Sequence, residues 1–140
     1  MRKITVIVET GKELFSCFMS GADDLDFSIV GDGKTASRAI EDFKVSVEEM
    51  RAFYQERGKM FPELEFEFVL DVGAFFDYYP INITAFAERI GMNASQLRQY
   101  ARGLRTPKAS TLAKIRDGIQ QVAKDIAAGH LIDKPVLQNV

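Results

Sequence analysis

The sequence predicts an α+β protein in two parts, a β-β-β-α-β domain followed by an all-α module of short helices. Three observations carry this expectation. The chain opens with short runs rich in β-branched and aromatic residues. At Ala36 the apolar spacing changes from two to three and four. Beyond Ile81 the strand-like runs stop, Asn and Gly punctuate short helical patterns, and the charge changes sign.

Residues 3–9 place Ile4, Val6 and Val8 on one face of a strand. Residues 14–19 form a second apolar run, and Gly11 in the short polar link between the two indicates a hairpin. Residues 26–30 read as a third strand, broken by Gly31-Asp32-Gly33, after which Thr35 can cap a helix. From there Ala36, Ala39, Ile40, Phe43, Val47, Met50 and Tyr54 make one apolar stripe on a helix ending near Gly58. Leu64-Glu65-Phe66-Glu67-Phe68 alternates strictly, as a half-buried strand does. The expected domain is a small antiparallel sheet covered by one helix.

The second part carries a more specific pattern. A helix from Ile83 presents Phe86, Ala87 and Ile90 inward, with Asn82 or Thr84 as its cap and Gly91 just past its end. Asn93 caps a second helix over residues 94–101, with Leu97 and Tyr100 inward. Ala87 is small where two helices cross closely. This is the helix-turn-helix arrangement. Arg102-Gly103-Leu104-Arg105-Thr106-Pro107 then reads as a helix stop and a basic loop, and residues 108–128 as a long helix with Leu112, Ile115, Ile119, Val122 and Ile126 in register. The first turns of that helix close the module's core. Val122 and Ile126 have no evident partner there and are expected to pack in a homodimer.

Charge divides at the same place. Residues 1–81 hold 9 basic and 16 acidic side chains, a net of −7, and residues 82–140 hold 9 basic and 4 acidic, a net of +5. A basic half is the electrostatic footprint of nucleic-acid binding, whereas an acidic half repels nucleic acid and attracts basic proteins. On the second short helix Asn93, Ala94, Ser95, Arg98 and Gln99 point away from Leu97 and Tyr100, and these are the residue types that read bases in the major groove. Thr84, Arg102, Arg105, Thr106 and Lys108 sit where such modules touch phosphate.

Other chemistries are weak. Gly33-Lys34-Thr35 lies between strand and helix like a phosphate-binding loop, but the glycine required five residues before Gly33 is replaced by Ser28. Glu9, Glu41 and Asp71 could hold two metal ions for phosphodiester cleavage, and read as ordinary surface acids. Cys17 is expected buried and inert, and a single Cys with a single His excludes a disulfide framework and the usual zinc sites. No catalytic residue, metal or cofactor is therefore assigned. The basic start Met1-Arg2-Lys3 resembles a secretion signal, but Glu9 ends the apolar run, and no uncharged stretch approaches the roughly 18 residues that span a bilayer. A cytoplasmic protein without membrane contact is expected.

The stretch from Ile83 to about Ile119 resembles the XRE-type helix-turn-helix family, through Gly91 and Leu97 six residues on and through Arg102-Gly103, Arg105 and Pro107. Nearly the full length, to about Leu131, resembles the HicB antitoxins that carry a C-terminal helix-turn-helix. The landmarks are Ile4-Thr5-Val6-Ile7-Val8, Phe15-Ser16-Cys17-Phe18, Gly31-Asp32-Gly33, Ala39 with Asp42-Phe43, Glu65-Phe66-Glu67-Phe68 and Ala74-Phe75-Phe76-Asp77-Tyr78-Tyr79-Pro80. The chain departs from that family at Gly33-Lys34-Thr35-Ala36-Ser37, where a more acidic helix start is expected. The resemblance implies a toxin-neutralising domain over residues 1–78, similar to a truncated RNase H fold without nuclease activity. It implies a DNA-binding domain over residues 79–140. Its partners would be a basic, mRNA-cleaving HicA-like toxin and operator DNA, the latter bound as a homodimer or higher even oligomer.

Two other functions stay open on the residues alone: a stand-alone helix-turn-helix repressor whose first domain senses or dimerises, and an active RNase H-like nuclease. The aromatic run Phe75-Phe76-Asp77-Tyr78-Tyr79 either docks the two parts together or forms an exposed contact. The tail over residues 132–140 carries no pattern and is expected to be mobile.

Overall fold

β1 (Arg2–Thr10) and β2 (Phe15–Ser20) form the expected hairpin, with Val8 opposite Cys17 and the turn closed by Gly11 N–H donating to the Leu14 carbonyl at 2.9 Å. This comes from a computed structural model that describes residues 1–132. The expectation of a mobile tail therefore falls, apart from Ile132, outside the described residues. β3 (Val30–Gly33) lies antiparallel to β2 on its other side. α1 (Ala36–Glu56) then crosses one face of the sheet, and β4 (Leu64–Leu70) pairs with β1, giving the order β3-β2-β1-β4.

β4 runs parallel to β1, with Val6 opposite Phe68, so the sheet is mixed and not antiparallel as the sequence led us to expect. The cause is the connection. Two antiparallel pairings already make β3 parallel to β1, and a helical crossover returns the next strand in that same direction. α1 starts where predicted, with the Thr35 side chain accepting from Arg38 N–H, and it buries the predicted stripe through Ala39, Phe43, Val47 and Tyr54. Phe43 stacks edge-on against both Phe66 and Phe68 of β4.

The third strand is displaced from residues 26–30 to Val30–Gly33. The glycines that read as strand breakers are part of the strand, because α1 passes directly over them. A Cβ on Gly31 would lie 2.5 Å from Phe43 N and 2.6 Å from the Ala39 carbonyl oxygen, and one on Gly33 would lie 2.5 Å from Ala39 N. Only a residue without a side chain lets strand and helix approach so closely. The Asp42 carboxylate accepts the Asp32 N–H at 2.9 Å, which occupies a donor on the outer edge of β3.

Among the described residues, the elements after β4 are all helical: α2 (Val72–Tyr78), α3 (Ile83–Ile90), α4 (Ala94–Ala101) and α5 (Ala109–Ala128). The protein is thus mixed α+β, with a four-stranded sheet and five helices among the described residues. Two cores form. One joins Val6, Val8, Cys17, Ile29, Ala39 and Phe43 beneath α1. The other joins Phe86, Ala87, Leu97, Tyr100 and Ile115. α2 belongs to both, burying Ala74 in the first and packing Val72 and Phe76 against the second. No described helix is long and apolar enough to cross a membrane.

Candidate nucleic-acid interface

α3 and α4 are eight residues each and are joined by Gly91, Met92 and Asn93. Asn82 caps α3, its side chain accepting from Ala85 N–H at 2.9 Å, and Asn93 caps α4 by accepting from Gln96 N–H at 3.1 Å. Gly91 is left-handed, with φ 69°, so that the chain can turn at once into α4. Lys114 of α5 donates to the Gly91 carbonyl at 3.1 Å and pins the turn from the outside. Ala87 is fully buried at the helix crossing. A second close approach involves Gly118 of α5, where a Cβ would stand 2.3 Å from Ile90 Cγ2. Arg89 pairs with Asp125, tying the end of α3 to the end of α5.

The predicted base-reading residues fall into two groups. Ser95 and Arg98 are exposed on α4, and Gln99 is half-exposed beside them. Arg98 donates to the Thr84 hydroxyl of α3, and Arg105 donates to the Gln99 side-chain oxygen at 3.4 Å. The long polar side chains of this face are thereby held by their neighbours before any ligand arrives. Asn93 is exposed, but its side-chain oxygen is taken by the cap, leaving its NH₂ group as the free part. Ala94 is half-buried and leans on the second core. Of the predicted phosphate contacts, Arg102, Arg105, Thr106 and Lys108 are exposed along the link from α4 to α5, and Thr84 is exposed at the start of α3. Lys108 stands at the N-cap position of α5, where its donor-only ammonium group makes no capping hydrogen bond.

Behind this face lies the junction with the sheet. A cleft of about 260 Å³ is lined by Phe15 of β2, Phe76 and Asp77 of α2, Ile83 of α3, and Arg98 and Arg102 of α4. The Asp77 carboxylate accepts Ala36 N–H at 2.8 Å and so caps α1 from another helix. Asp71 does the equivalent at α2, accepting Ala74 N–H at 2.8 Å. The aromatic run is thus divided. Phe76 packs edge-on against Phe86 of α3, which docks the two parts, while Tyr78 and Tyr79 remain exposed.

Two sequence readings change. Asp71, placed on the last strand by the sequence reading, lies just beyond β4 as the cap of α2 and is bonded to Thr10. Val122 does have a partner in its own chain, since it packs against the second core, whereas Ile126 is 70% exposed. α2 is not legible in the sequence, because seven residues are too short for a clear period; its only local signal is Asp71, a residue type that caps helices, just before Val72. Cys17 is buried as expected, and burial with nearby Asp32 and Asp42 pushes its thiol up to about 11.

No protein-family model, curated protein or solved structure matches the chain.

Proposed function

We propose that the chain is an antitoxin of the HicB type. In this reading the β-β-β-α-β domain binds and inhibits a HicA-type, mRNA-cleaving toxin. The α3–α4 pair acts as a helix-turn-helix that represses the chain's own operon by sequence-specific DNA binding, from a homodimer in the cytoplasm. The observation that carries the reading is the α3–α4 geometry. Two Asn-capped helices meet across a left-handed glycine, and α4 turns Ser95, Arg98 and Gln99 outward beside the exposed Arg102, Arg105 and Lys108. Such side chains form bidentate pairs with guanine and adenine, and the flanking cations fix the register on phosphate. The charge division supports the other half: a domain of net −7 steers a basic ribonuclease and rejects nucleic acid, while a module of net +5 finds DNA. The truncated RNase H-like reading of the first domain draws on the mixed sheet with one helix across it. The reading as a non-enzyme rests on the resemblance to the HicB antitoxins.

Co-expression of the full chain with the small reading frame beside its gene tests the proposal. Growth rescue with a co-purifying complex, and protection of the shared promoter that Arg98→Ala and Gln99→Ala abolish, is the expected result. Promoter binding without toxicity or complex would instead favour a stand-alone repressor.

A further inference from the structure

α1 covers one face of the sheet, and among the described residues no helix covers the other. Strand alternation decides what that open face presents. Val6 and Val8, Cys17, Gly31, and Phe66 and Phe68 point toward α1, so their neighbours point away. At one level the pairing brings four apolar neighbours side by side. Val30 stands opposite Phe18, Phe18 opposite Ile7, and Ile7 opposite Val69. The row crosses all four strands, roughly 14 Å from end to end at the usual strand spacing. Its two ends are exposed, Val30 by 58% and Val69 by 47%.

The rims of the row are acidic. On one side the Glu9, Ser16 and Asp32 positions lie in line across three strands, and on the other Glu65 and Glu67 extend along β4. The one basic side chain among the paired positions of this face is Lys3, already 3.6 Å from Glu67. An apolar centre inside a charged rim is the anatomy of a protein-binding surface. The sign of the rim selects the partner. A second copy would bring the same carboxylates against these, and nucleic acid would bring phosphates, so both are repelled.

We infer that this open face, centred on Ile7 and Phe18, is the docking surface for a basic protein that seats an apolar patch on the Val30–Phe18–Ile7–Val69 row. The inference rests on the antitoxin reading only for the partner's identity, the basic toxin, and assigns the face that takes it.

The test uses the full chain and the small protein encoded beside its gene, with binding followed by biolayer interferometry and neutralisation by growth. Val69→Lys puts a cation at the exposed β4 end of the row, inside a cationic partner's footprint, without entering the core. It is expected to weaken binding about 100-fold and abolish rescue. The pair Glu65→Lys with Glu67→Lys is expected to weaken binding about 10-fold and flatten its salt dependence. Val45→Lys, at a 54% exposed site on α1, is the control and is expected to bind within about two-fold of the native chain. Equal melting temperatures establish that the variants fold. Native-like binding by both face variants overturns this surface and leaves the antitoxin reading standing. Failure of the native chain itself to bind or rescue overturns both. A change of oligomeric mass in Val69→Lys with unchanged partner affinity makes the face a self-interface and also overturns the inference.

Discussion

The Asp71 carboxylate receives both the backbone N–H and the hydroxyl of Thr10, at 2.8 and 2.7 Å. It also accepts Ala74 N–H, so one side chain binds the last residue of β1 to the first turn of α2. Through Phe76, α2 then enters the second core. Thr10 also lies against the backbone on the α4 side, with Gly103 close to its side chain. The sheet and α4 therefore share one joint rather than a linker.

Asp71→Ala removes a helix cap and two further hydrogen bonds, and is expected to lower stability by about 2 kcal/mol. Thr10→Val removes the hydroxyl bond alone, a loss of about 1 kcal/mol. Urea denaturation measures both. Equal losses would mean that neither the cap nor the Thr10 N–H bond contributes.

Gly73→Ala is expected to be worse than its size suggests. The added Cβ would meet Thr10 Oγ1 at 2.2 Å and the Ala101 carbonyl oxygen at 2.5 Å, and the latter is backbone that cannot rotate away. We expect a loss of about 2 kcal/mol or more and a broadened thermal transition as the joint opens. A sharp transition within about 0.5 kcal/mol of the native chain would contradict this account of the joint.

Under the proposed DNA-binding reading, base-reading and phosphate-contacting residues should differ in their effects. Arg98→Ala is expected to cost about 1–3 kcal/mol on the operator and little on unrelated DNA. Lys108→Ala is expected to weaken both alike and to reduce the salt slope by about one. Mobility shifts over a salt series on operator and scrambled DNA distinguish the two patterns.

Cys17 is 1% exposed. Its thiol pKa of about 11 lies above the ordinary value of 9.0, so the folded chain holds the proton more tightly than the unfolded one. Its contribution is fully present below pH 9 and is lost as pH rises from there through about 11. The loss amounts to about 3 kcal/mol over that window at 1.36 kcal/mol per pKa unit. Cys17→Ala should remove this part of the alkaline decline in urea stability. The native thiol should resist alkylation at pH 8 until denaturant is added.

Ile126→Asp isolates the proposed dimer contact, because the residue is exposed and outside the second core. Monomeric mass by light scattering with an unchanged circular dichroism spectrum is the expected result. Val122→Asp should instead lower stability by about 2 kcal/mol or more, since it brings a charge against the apolar core.

Where local chemistry sets the conformation, the residues were readable in order. Thr35, Asn82 and Asn93 cap the helices that follow them, and Gly91 takes the left-handed turn, because a cap or a positive φ depends on a few neighbouring atoms. The stripe from Ala39 to Tyr54 was legible because a long helix repeats its period many times. Gly31 and Gly33 misled because their reason is a helix passing overhead, and a break and a close approach look alike in one dimension. Ser95, Arg98 and Gln99 could be placed on one face from spacing, but the bonds from Arg98 to Thr84 and from Arg105 to Gln99 join residues on separate elements.

The sequence by itself determined the types of most elements, the caps of α1, α3 and α4, the apolar faces of the long helices and the opposed charges of the two halves, since each is a property of neighbours along the chain. The tertiary structure alone decided the parallel return of β4, the joint at Thr10 and Asp71, and the apolar row across the open face. Strand pairing and close backbone approach join residues far apart in sequence, such as Ile7 with Val69 and Thr10 with Asp71, and no local period records which distant partner a residue will meet.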